Sequence, residues 1–355
     1  MSFRASFSKR IFNFNFKART SRGLMPDKTS WFISVWNESH PDVVGLGECG
    51  PLPGLSLDDI PNFDSAVAGT VSRISSLDGH SLSTEMVPKI VQPGFPSLRF
   101  AVETAFLDLQ HGGKRTIFDN GFRTGTPIPI NGLIWMGEKD FMIRQIDQKL
   151  ASGYKCVKLK IGGLDFENEC EVLQYIRECY SGQGITIRLD ANGAFGSDAM
   201  MYLKQLEKFD IHSIEQPIPP GLNQMADLCR SSPVPIALDE ELIVERSREE
   251  KLDLLAHLRP QYIVLKPTLH GGLSGCSEWI DVADSLGIGW WITSALESNI
   301  GLNSICQFAA EYKVTTPQGL GTGQLYSNNI LSPLVTNGGN ISFDQTGSWD
   351  VSGLY

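Results

Sequence analysis

The sequence predicts an α/β protein, a TIM-type (β/α) barrel preceded by an N-terminal α+β capping domain. The first observation behind this prediction is a strict alternation of strand-like and helix-like segments from Pro127 onward. Strands are predicted to begin near residues 128, 155, 185, 211, 234, 261, 289 and 317, and amphipathic helices near 138, 166, 198, 223, 246, 273 and 299. Such alternation is typical of parallel βαβ units, and eight of them close a barrel.

The second observation is that five successive strand-like segments end in a charged residue. The five residues are Lys160, Asp190, Glu215, Asp239 and Lys266. In a closed barrel the carboxyl ends of the strands converge on one mouth, so these side chains would meet there. An open doubly wound sheet is the alternative, but no Gly-x-Gly-x-x-Gly follows an early strand as a dinucleotide-binding sheet would require.

Residues 1–125 are predicted to form the capping domain. Phe12, Phe14 and Phe16 alternate with polar residues, which indicates a half-buried strand. Further strands are predicted at 31–36 and 43–48, a loop at 20–26, and helices at 62–77 and 97–112. A sheet followed by helices is an α+β arrangement. We expect the barrel to occupy residues 126–330, and the tail, 331–355, to pack back onto the capping domain.

The composition of the chain restricts its expected cellular location and its expected binding partners. The chain has 355 residues, 41% of them hydrophobic, and a net charge of -10, which argues against a nucleic-acid partner. Its seven cysteines include no C-x-x-C pair, so a reducing cytoplasm is the simplest location. No run of 18 apolar residues and no signal-peptide pattern is visible, so no membrane partner is expected. The sequence leaves the oligomeric state open, and a homo-oligomer is compatible with it.

Three of the strand-end residues predict a metal site. Asp190, Glu215 and Asp239 offer oxygen ligands only, without histidine or cysteine, which favours Mg²⁺ or Mn²⁺ over zinc. A single strand-end carboxylate could equally be a helix cap, but three on successive strands point to a shared cation. Nearby polar residues are predicted to support the ligands, and these are Asn192, Gln216 and Glu240.

The lysines predict acid–base chemistry. Lys158 and Lys160 are two residues apart and therefore lie on the same face of a strand. Neighbouring ammonium groups lower each other's proton affinity, as a lysine base requires, and Lys160 is nearer the strand end. We therefore predict Lys160 as the base and Lys158 as a substrate-binding residue. Lys266 would approach from the opposite face, although a salt bridge to Asp239 or Glu240 is the alternative.

These motifs resemble those of the enolase superfamily, specifically its muconate-lactonizing subgroup. The matching motifs are Lys158-x-Lys160, Asp190-Ala191-Asn192, Glu215-Gln216-Pro217, Leu238-Asp239-Glu240, and Lys266-Pro267 followed by Gly271-Gly272. Within the subgroup, residues 293–301 and 318–323 are similar to the seventh-strand and eighth-strand segments of the o-succinylbenzoate synthase family. Dipeptide epimerases carry an Asp-x-Asp pair on strand eight, where this chain has Gly321-Thr322-Gly323.

The resemblance implies an enzyme that acts on a small carboxylate substrate with a hard divalent cation. It implies that Lys160 removes the proton α to the carboxylate of a hydroxylated, succinyl-bearing cyclohexadiene, and that the metal and Lys266 stabilise the resulting enediolate. Loss of hydroxide then gives an aromatic product, 2-succinylbenzoate, in menaquinone biosynthesis. Further substrate contacts are expected from Ser294, Ser298, Asn299 and the backbone near Gly321, with Leu24 and Met25 closing over the ring.

Three other functions remain open from the residues alone. An N-acylamino acid racemase would use Lys160 and Lys266 as paired bases on opposite faces of its substrate. A Schiff-base aldolase is also a barrel with inward-facing lysines, and a non-catalytic binding protein could retain the scaffold. His270 is interpreted as a loop histidine without a catalytic role.

Overall fold

The computed structural model describes residues 2–20, 23–77 and 82–355, and its first part is an antiparallel sheet covered by helices. The strands are β1 (Phe3–Thr20), β2 (Gly23–Asn37) and β3 (His40–Cys49), in the order β1-β2-β3. The helices are α1 (Phe63–Ser75), α2 (Val87–Ile90) and α3 (Pro96–Gln110). Helix α3 lies directly on the sheet backbone, since a Cβ added to Gly47 would be 1.9 Å from the carbonyl oxygen of Ala101.

The second part is a parallel barrel, which confirms the predicted fold class. The strands are β4 (Ile128–Pro129), β5 (Gly132–Ile134), β6 (Cys156–Lys160), β7 (Thr186–Asp190), β8 (Ser213–Glu215), β9 (Ile236–Leu238), β10 (Tyr262–Leu265) and β11 (Gly289–Ile292). Strands β5 to β11 form one parallel sheet in sequential order. The helices are α4 (Lys139–Ala151), α5 (Phe166–Cys179), α6 (Ala199–Leu206), α7 (Gln224–Ser231), α8 (Arg248–Leu258), α9 (Gly272–Ser285) and α10 (Asn299–Glu311). Within the described part of the chain, no helix is long and apolar enough to cross a bilayer.

A short segment at residues 317–319 closes the barrel in place of a regular eighth strand. Gln318 bridges to Ile130 and Gly319 bridges to Thr293, both in parallel orientation. The strand predicted to begin near 317 is therefore reduced to a two-residue segment, whose amides donate to Pro129 and Ile292 as those of a barrel strand would. Pro317 lacks a donor for the ladder, and Gly319 is needed for close approach, because a Cβ there would lie 2.0 Å from the Thr293 hydroxyl.

The strand predicted to begin near residue 128 is divided in two, because β4 belongs to a different sheet from β5. Strand β4 pairs with β13 (Asn340–Phe343), which itself pairs with β12 (Leu334–Asn337). The chain end then reaches the capping sheet, where the carbonyl of Leu354 accepts a hydrogen bond of 2.8 Å from the Ser8 hydroxyl. The domain boundaries at 125/126 and 330/331 remain a prediction.

The predicted loop at 20–26 is wrong at its ends, because the first hairpin is tighter. Thr20 is the last residue of β1, and Gly23 opens β2. Leu24 and Met25 therefore lie in a strand, opposite Arg19 and Ala18. Residues 21 and 22 of the predicted loop lie outside the described residues.

One buried carboxylate joins the capping sheet to the barrel. Glu48, at 1% exposure, accepts hydrogen bonds from the Ser30 hydroxyl at 2.8 Å and, across the domains, from the Ser298 amide at 2.9 Å. It also accepts from the Ser298 hydroxyl at 2.6 Å and from the Gly301 amide at 2.9 Å. These donors belong to the first turn of α10, where a negative charge is favourable.

We predict that Glu48→Ala lowers the free energy of unfolding by roughly 3 kcal/mol, because four donors lose a charged acceptor. Equilibrium denaturation in urea measures the loss. Glu38→Ala is the control, since Glu38 forms an exposed ion pair with Arg4 at 2.6 Å, and such pairs contribute less than about 1 kcal/mol. Equal losses in the two variants would contradict the role assigned to Glu48.

Candidate active site

Strand register brings the three predicted metal ligands together. Asp190 and Glu215 are direct partners at the ends of β7 and β8, and Asp239 follows β9. All three are buried, and each offers a carboxylate oxygen within 4.8 Å of those of the other two. The prediction that these strand ends converge is confirmed by their positions.

The three predicted lysines lie against these carboxylates. Lys160 Nζ donates to Asp190 at 2.8 Å, and Lys158 Nζ donates to Asp190 at 2.9 Å and also to Glu215. Lys266 Nζ, at the end of the facing strand β10, donates to Asp239 at 2.6 Å. Three buried negative charges therefore face three positive ones, and the salt bridge between Lys266 and Asp239 considered from the sequence is present.

The charges of this cluster shift one another's proton affinities. Burial alone would lower the pKa of Lys158, but Asp190 and Glu215 raise it well above its ordinary value. The mutual lowering of proton affinity expected for Lys158 and Lys160 is therefore outweighed at Lys158 by the carboxylates that it contacts. Burial favours the neutral form of Asp190, but Lys158 and Lys160 hold its pKa below the usual range. Burial raises the pKa of Glu215 to about 7, although Lys158 opposes the shift.

The donor set fits a divalent cation. Among the described side chains, Glu215 Oε1 is a buried oxygen without a protein hydrogen-bond partner. Leaving such an atom unsatisfied is unfavourable, so an additional positive group is expected beside it. Three carboxylates and no nitrogen or sulfur ligand match the preference of hard cations for oxygen. A cation bound there would also oppose the raised pKa of Lys158 through its own charge.

The predicted supporting residues join the ends of adjacent strands. Asn192 accepts from Lys160 Nζ at 2.7 Å and donates to Glu240 at 2.8 Å. Gln216 Oε1 accepts from the backbone amides of Asp239 and Glu241, both at 3.2 Å. These hydrogen bonds connect the loops that follow neighbouring strands. They therefore fix the orientation of the carboxylates at the strand ends.

A cavity of about 110 Å³ lies above the charge cluster. Six of the predicted catalytic and substrate-binding residues line it, namely Met25, Lys158, Lys160, Lys266, Ser294 and Gly321. Ser294 is already engaged, since it donates to Glu297 at 2.5 Å and accepts from Thr322 at 2.9 Å. The wall is thus a preformed hydrogen-bonded surface beside the lysines.

Three predicted substrate-binding residues do not line this cavity. Leu24 is 61% exposed, because it occupies the outer side of the hairpin next to Met25. Ser298 caps α10 and donates to Glu48, so its hydroxyl serves the helix start. Asn299 donates to the carbonyl of Ile330 at 2.7 Å. Direct contacts of these three side chains with a ligand in the cavity are not supported by their positions.

Sequence reasoning missed part of the cavity wall. Asn131 and Trp135 flank β5 and line the cavity, and Asn131 Oδ1 is buried without a hydrogen-bond partner among the described residues. Asn131 directly follows the apolar run at residues 128–130. A search for polar residues at the ends of apolar strand-like runs, which identified the carboxylates and lysines, could therefore also have identified Asn131. Leu52 and Leu55, from the loop after β3, gave no comparable signal.

His270 lies behind the active-site lysine, not beside the substrate cavity. Its Nδ1 accepts a hydrogen bond of 2.9 Å from the backbone amide of Lys266. Burial lowers the pKa of His270 to about 3, although Asp239 opposes the shift. The imidazole is therefore neutral at physiological pH, and it supports the turn that carries Lys266.

Carboxylates and lysines at the ends of consecutive barrel strands define an enzyme class that abstracts a proton next to a carboxylate with the help of a metal. Residues 142–346 match the family described as "Enolase C-terminal domain-like". An o-succinylbenzoate synthase of Desulfotalea psychrophila is 46% identical over 91% of this chain and 94% of its own. The chain therefore belongs to the o-succinylbenzoate synthase family of this enzyme class.

Solved structures agree with this assignment. The crystal structure of MenC from Desulfotalea psychrophila is 41% identical, has a TM-score of 0.85, and covers 96% of this chain and 100% of its own. The L-Ala-D/L-Glu epimerase of Bacillus subtilis has a TM-score of 0.81 over 96% of both chains. At 20% identity, the epimerase shows the shared fold alone.

We predict that Glu215→Gln weakens the binding of a divalent cation by at least about tenfold, because the change removes one of three ligand charges and keeps the side-chain shape. Isothermal titration with Mg²⁺ and Mn²⁺ measures the affinity. Glu249→Gln, on the exposed surface of α8, is the matched control. An unchanged affinity in the Glu215 variant would show that this carboxylate is not a ligand.

Proposed function

We propose that this protein is an o-succinylbenzoate synthase, which dehydrates 2-succinyl-6-hydroxy-2,4-cyclohexadiene-1-carboxylate to 2-succinylbenzoate in menaquinone biosynthesis. The observation that carries the proposal is that Lys160 and Lys266 line the same cavity, beside the buried carboxylates. The 46% identity to a relative with this name supports the same substrate.

The cation is proposed to be Mg²⁺, with Mn²⁺ as the alternative, held by Asp190, Glu215 and Asp239. When bound, it supplies positive charge that makes the proton α to the substrate carboxylate more acidic. Lys158 lies beneath this site and donates to two of the proposed ligands. We therefore assign Lys158 to holding the carboxylates in place, in addition to the substrate contact predicted from the sequence.

Lys160 is proposed to move the proton in both directions. Its neutral amine takes the proton from the carbon α to the carboxylate and becomes an ammonium group. As the bond between the ring and the hydroxyl oxygen breaks, the ammonium returns a proton to the departing oxygen, which leaves as water. The ring then becomes aromatic. Asn192, at 2.7 Å from Lys160 Nζ, would orient the amine during both transfers.

Lys266 is proposed to stabilise negative charge that develops on the substrate. Burial alone would lower the pKa of Lys266, but Asp239 and Glu240 raise it above its ordinary value, so the side chain remains cationic. A fixed cation on the opposite wall from Lys160 favours the transition state without exchanging a proton. Met25, Leu133 and Leu296 form an apolar wall that would exclude water from the ring.

Racemization of N-acylamino acids is a second candidate function. The observation in its favour is that Lys266, like Lys160, is a cavity-lining residue, so that each could address one face of a substrate. The racemase would require Lys266 to take and give protons, whereas the dehydratase requires only its charge.

We further propose that the enzyme works in the cytoplasm on a small carboxylate, without a nucleic-acid or membrane partner. All seven cysteines are free, which suits a reducing compartment. The net charge of -10 is unfavourable for contact with nucleic acid. A homo-oligomer remains compatible with these features.

We predict that Lys160→Ala lowers kcat for dehydration by a factor of about 10² to 10⁴, because the general base is lost. Metal affinity and the unfolding midpoint should change little, since Lys160 is not a proposed ligand. Lys155→Ala is the control, because Lys155 precedes the same strand with an exposed side chain. Activity above a tenth of the unaltered enzyme would rule out Lys160 as the base.

Lys266→Arg distinguishes the two candidate functions. Arginine stays cationic, with a pKa above ~12, and cannot exchange protons at neutral pH. We expect measurable dehydration but no deuterium exchange at the α-carbon of one enantiomer of an N-acylamino acid, as measured by NMR in D₂O. The other enantiomer should still exchange through Lys160. Equal loss for both enantiomers would show that the lysines do not act on opposite faces.

A further inference from the structure

A second cavity, of about 210 Å³, lies outside the active site, between the capping domain and the outer helices of the barrel. Its walls come from the start of α3, from the loop before α8, and from the first turns of α8 and α9. Among the residues that line it, none belongs to the substrate cavity. The structure therefore contains a separate cleft close to the catalytic lysine Lys266.

The charge of this second cavity is positive, although the protein as a whole is acidic. Four cationic side chains line it, and only two carboxylates, Glu245 and Glu278, do so. Glu278 is engaged by Lys251 at 2.6 Å. Glu245 accepts from the amide of Gly94 at 2.5 Å and forms an ion pair with Arg99 at 3.7 Å. The cations are Arg99, Arg246, Arg248 and Lys251.

A buried donor in the wall has no acceptor. His270, which lines the cavity, is 5% exposed, and within the described part of the chain its Nε2 has no hydrogen-bond partner. Its Nδ1 accepts from the Lys266 amide at 2.9 Å, so the proton of the neutral ring must be on Nε2. The unsatisfied atom is therefore an N–H donor, and its natural partner is an oxygen acceptor.

We propose that this cavity is a binding site for a small oxyanion, a carboxylate or a phosphate, held by His270 Nε2–H and by the side chain of Arg99. An oxyanion satisfies the buried donor and the excess of positive charge with one group, whereas a neutral or cationic ligand would leave the charge uncompensated. The other ring nitrogen of His270, Nδ1, accepts a hydrogen bond from the backbone amide of Lys266. The imidazole of His270 therefore connects the proposed anion site to the catalytic lysine.

The test uses protein labelled with ¹⁵N at its six histidines. Separate titrations with inorganic phosphate and with succinate are followed by proton–nitrogen correlation spectra of the side chains. We expect at least one of these anions to shift the Nε2–H resonance of His270 in a saturable way, with the resonance assigned by its loss in His270→Gln. No saturable shift up to about 10 mM of either anion would overturn the proposal.

The anion affinities of substituted proteins show whether the anion binds in this cavity. Arg99→Gln should weaken the affinity by roughly tenfold, which corresponds to about 1.4 kcal/mol. Arg248→Gln in the first turn of α8 is a second variant, in case the first does not fold. Arg144→Gln on the exposed face of α4 is the control. An unchanged affinity in the folded cavity variants would place the anion elsewhere, such as in the active site, and would overturn the proposal. The readout requires no turnover, so it is independent of the proposed dehydration.

Discussion

The structure depends on holding three carboxylates side by side in a buried site. Two like charges about 4 Å apart repel by about 4 kcal/mol at an effective dielectric constant of ~20, so this arrangement cannot persist without compensation. The register of β7 and β8 forces Asp190 beside Glu215, and a one-residue slip would turn both side chains away from the barrel interior. Three lysines supply opposite charges, and a divalent cation would supply two more.

Barrel closure is the second requirement, because the closing segment and the residues just before β5 both line the substrate cavity. The closing segment is short, but the backbone amides of Gln318 and Gly319 donate at 2.8 Å to its two neighbours in the barrel. Side chains reinforce these bonds. Arg188, inside the barrel, donates to the carbonyl of Pro317 at 2.7 Å and lies 4.0 Å from the ring of Trp291. Gln318 Oε1 accepts from the amide of Ile292 at 2.7 Å. A buried arginine and a buried glutamine thus add to the few backbone hydrogen bonds of this short segment.

The chemistry of the site was more predictable from the sequence than its walls. Asp190, Glu215 and Lys266 can be identified from the sequence because a strand pattern and its end are local signals. The parallel topology of the barrel then determines which strand-end side chains become neighbours. Ser298 and Asn299 do not line the cavity, and their hydrogen-bond partners, Glu48 and Ile330, are too remote in sequence to be foreseen. The sequence alone also places β4 in the barrel, since the pairing of β4 with β13 depends on the distant chain end.

These differences divide the molecule into two functional layers. The charged residues come from β6 to β10, which lie side by side, whereas the cavity walls come from β5, the end of β11, the closing segment and two parts of the capping domain. Glu48 accepts hydrogen bonds from the start of α10, the helix after the wall strand β11, whereas Glu103 accepts from the start of α9, the helix after β10 and Lys266. Substitutions that loosen the Glu48 contact should therefore alter substrate selection before they alter the proton-transfer residues, because that contact holds the wall while the carboxylates remain in the sheet.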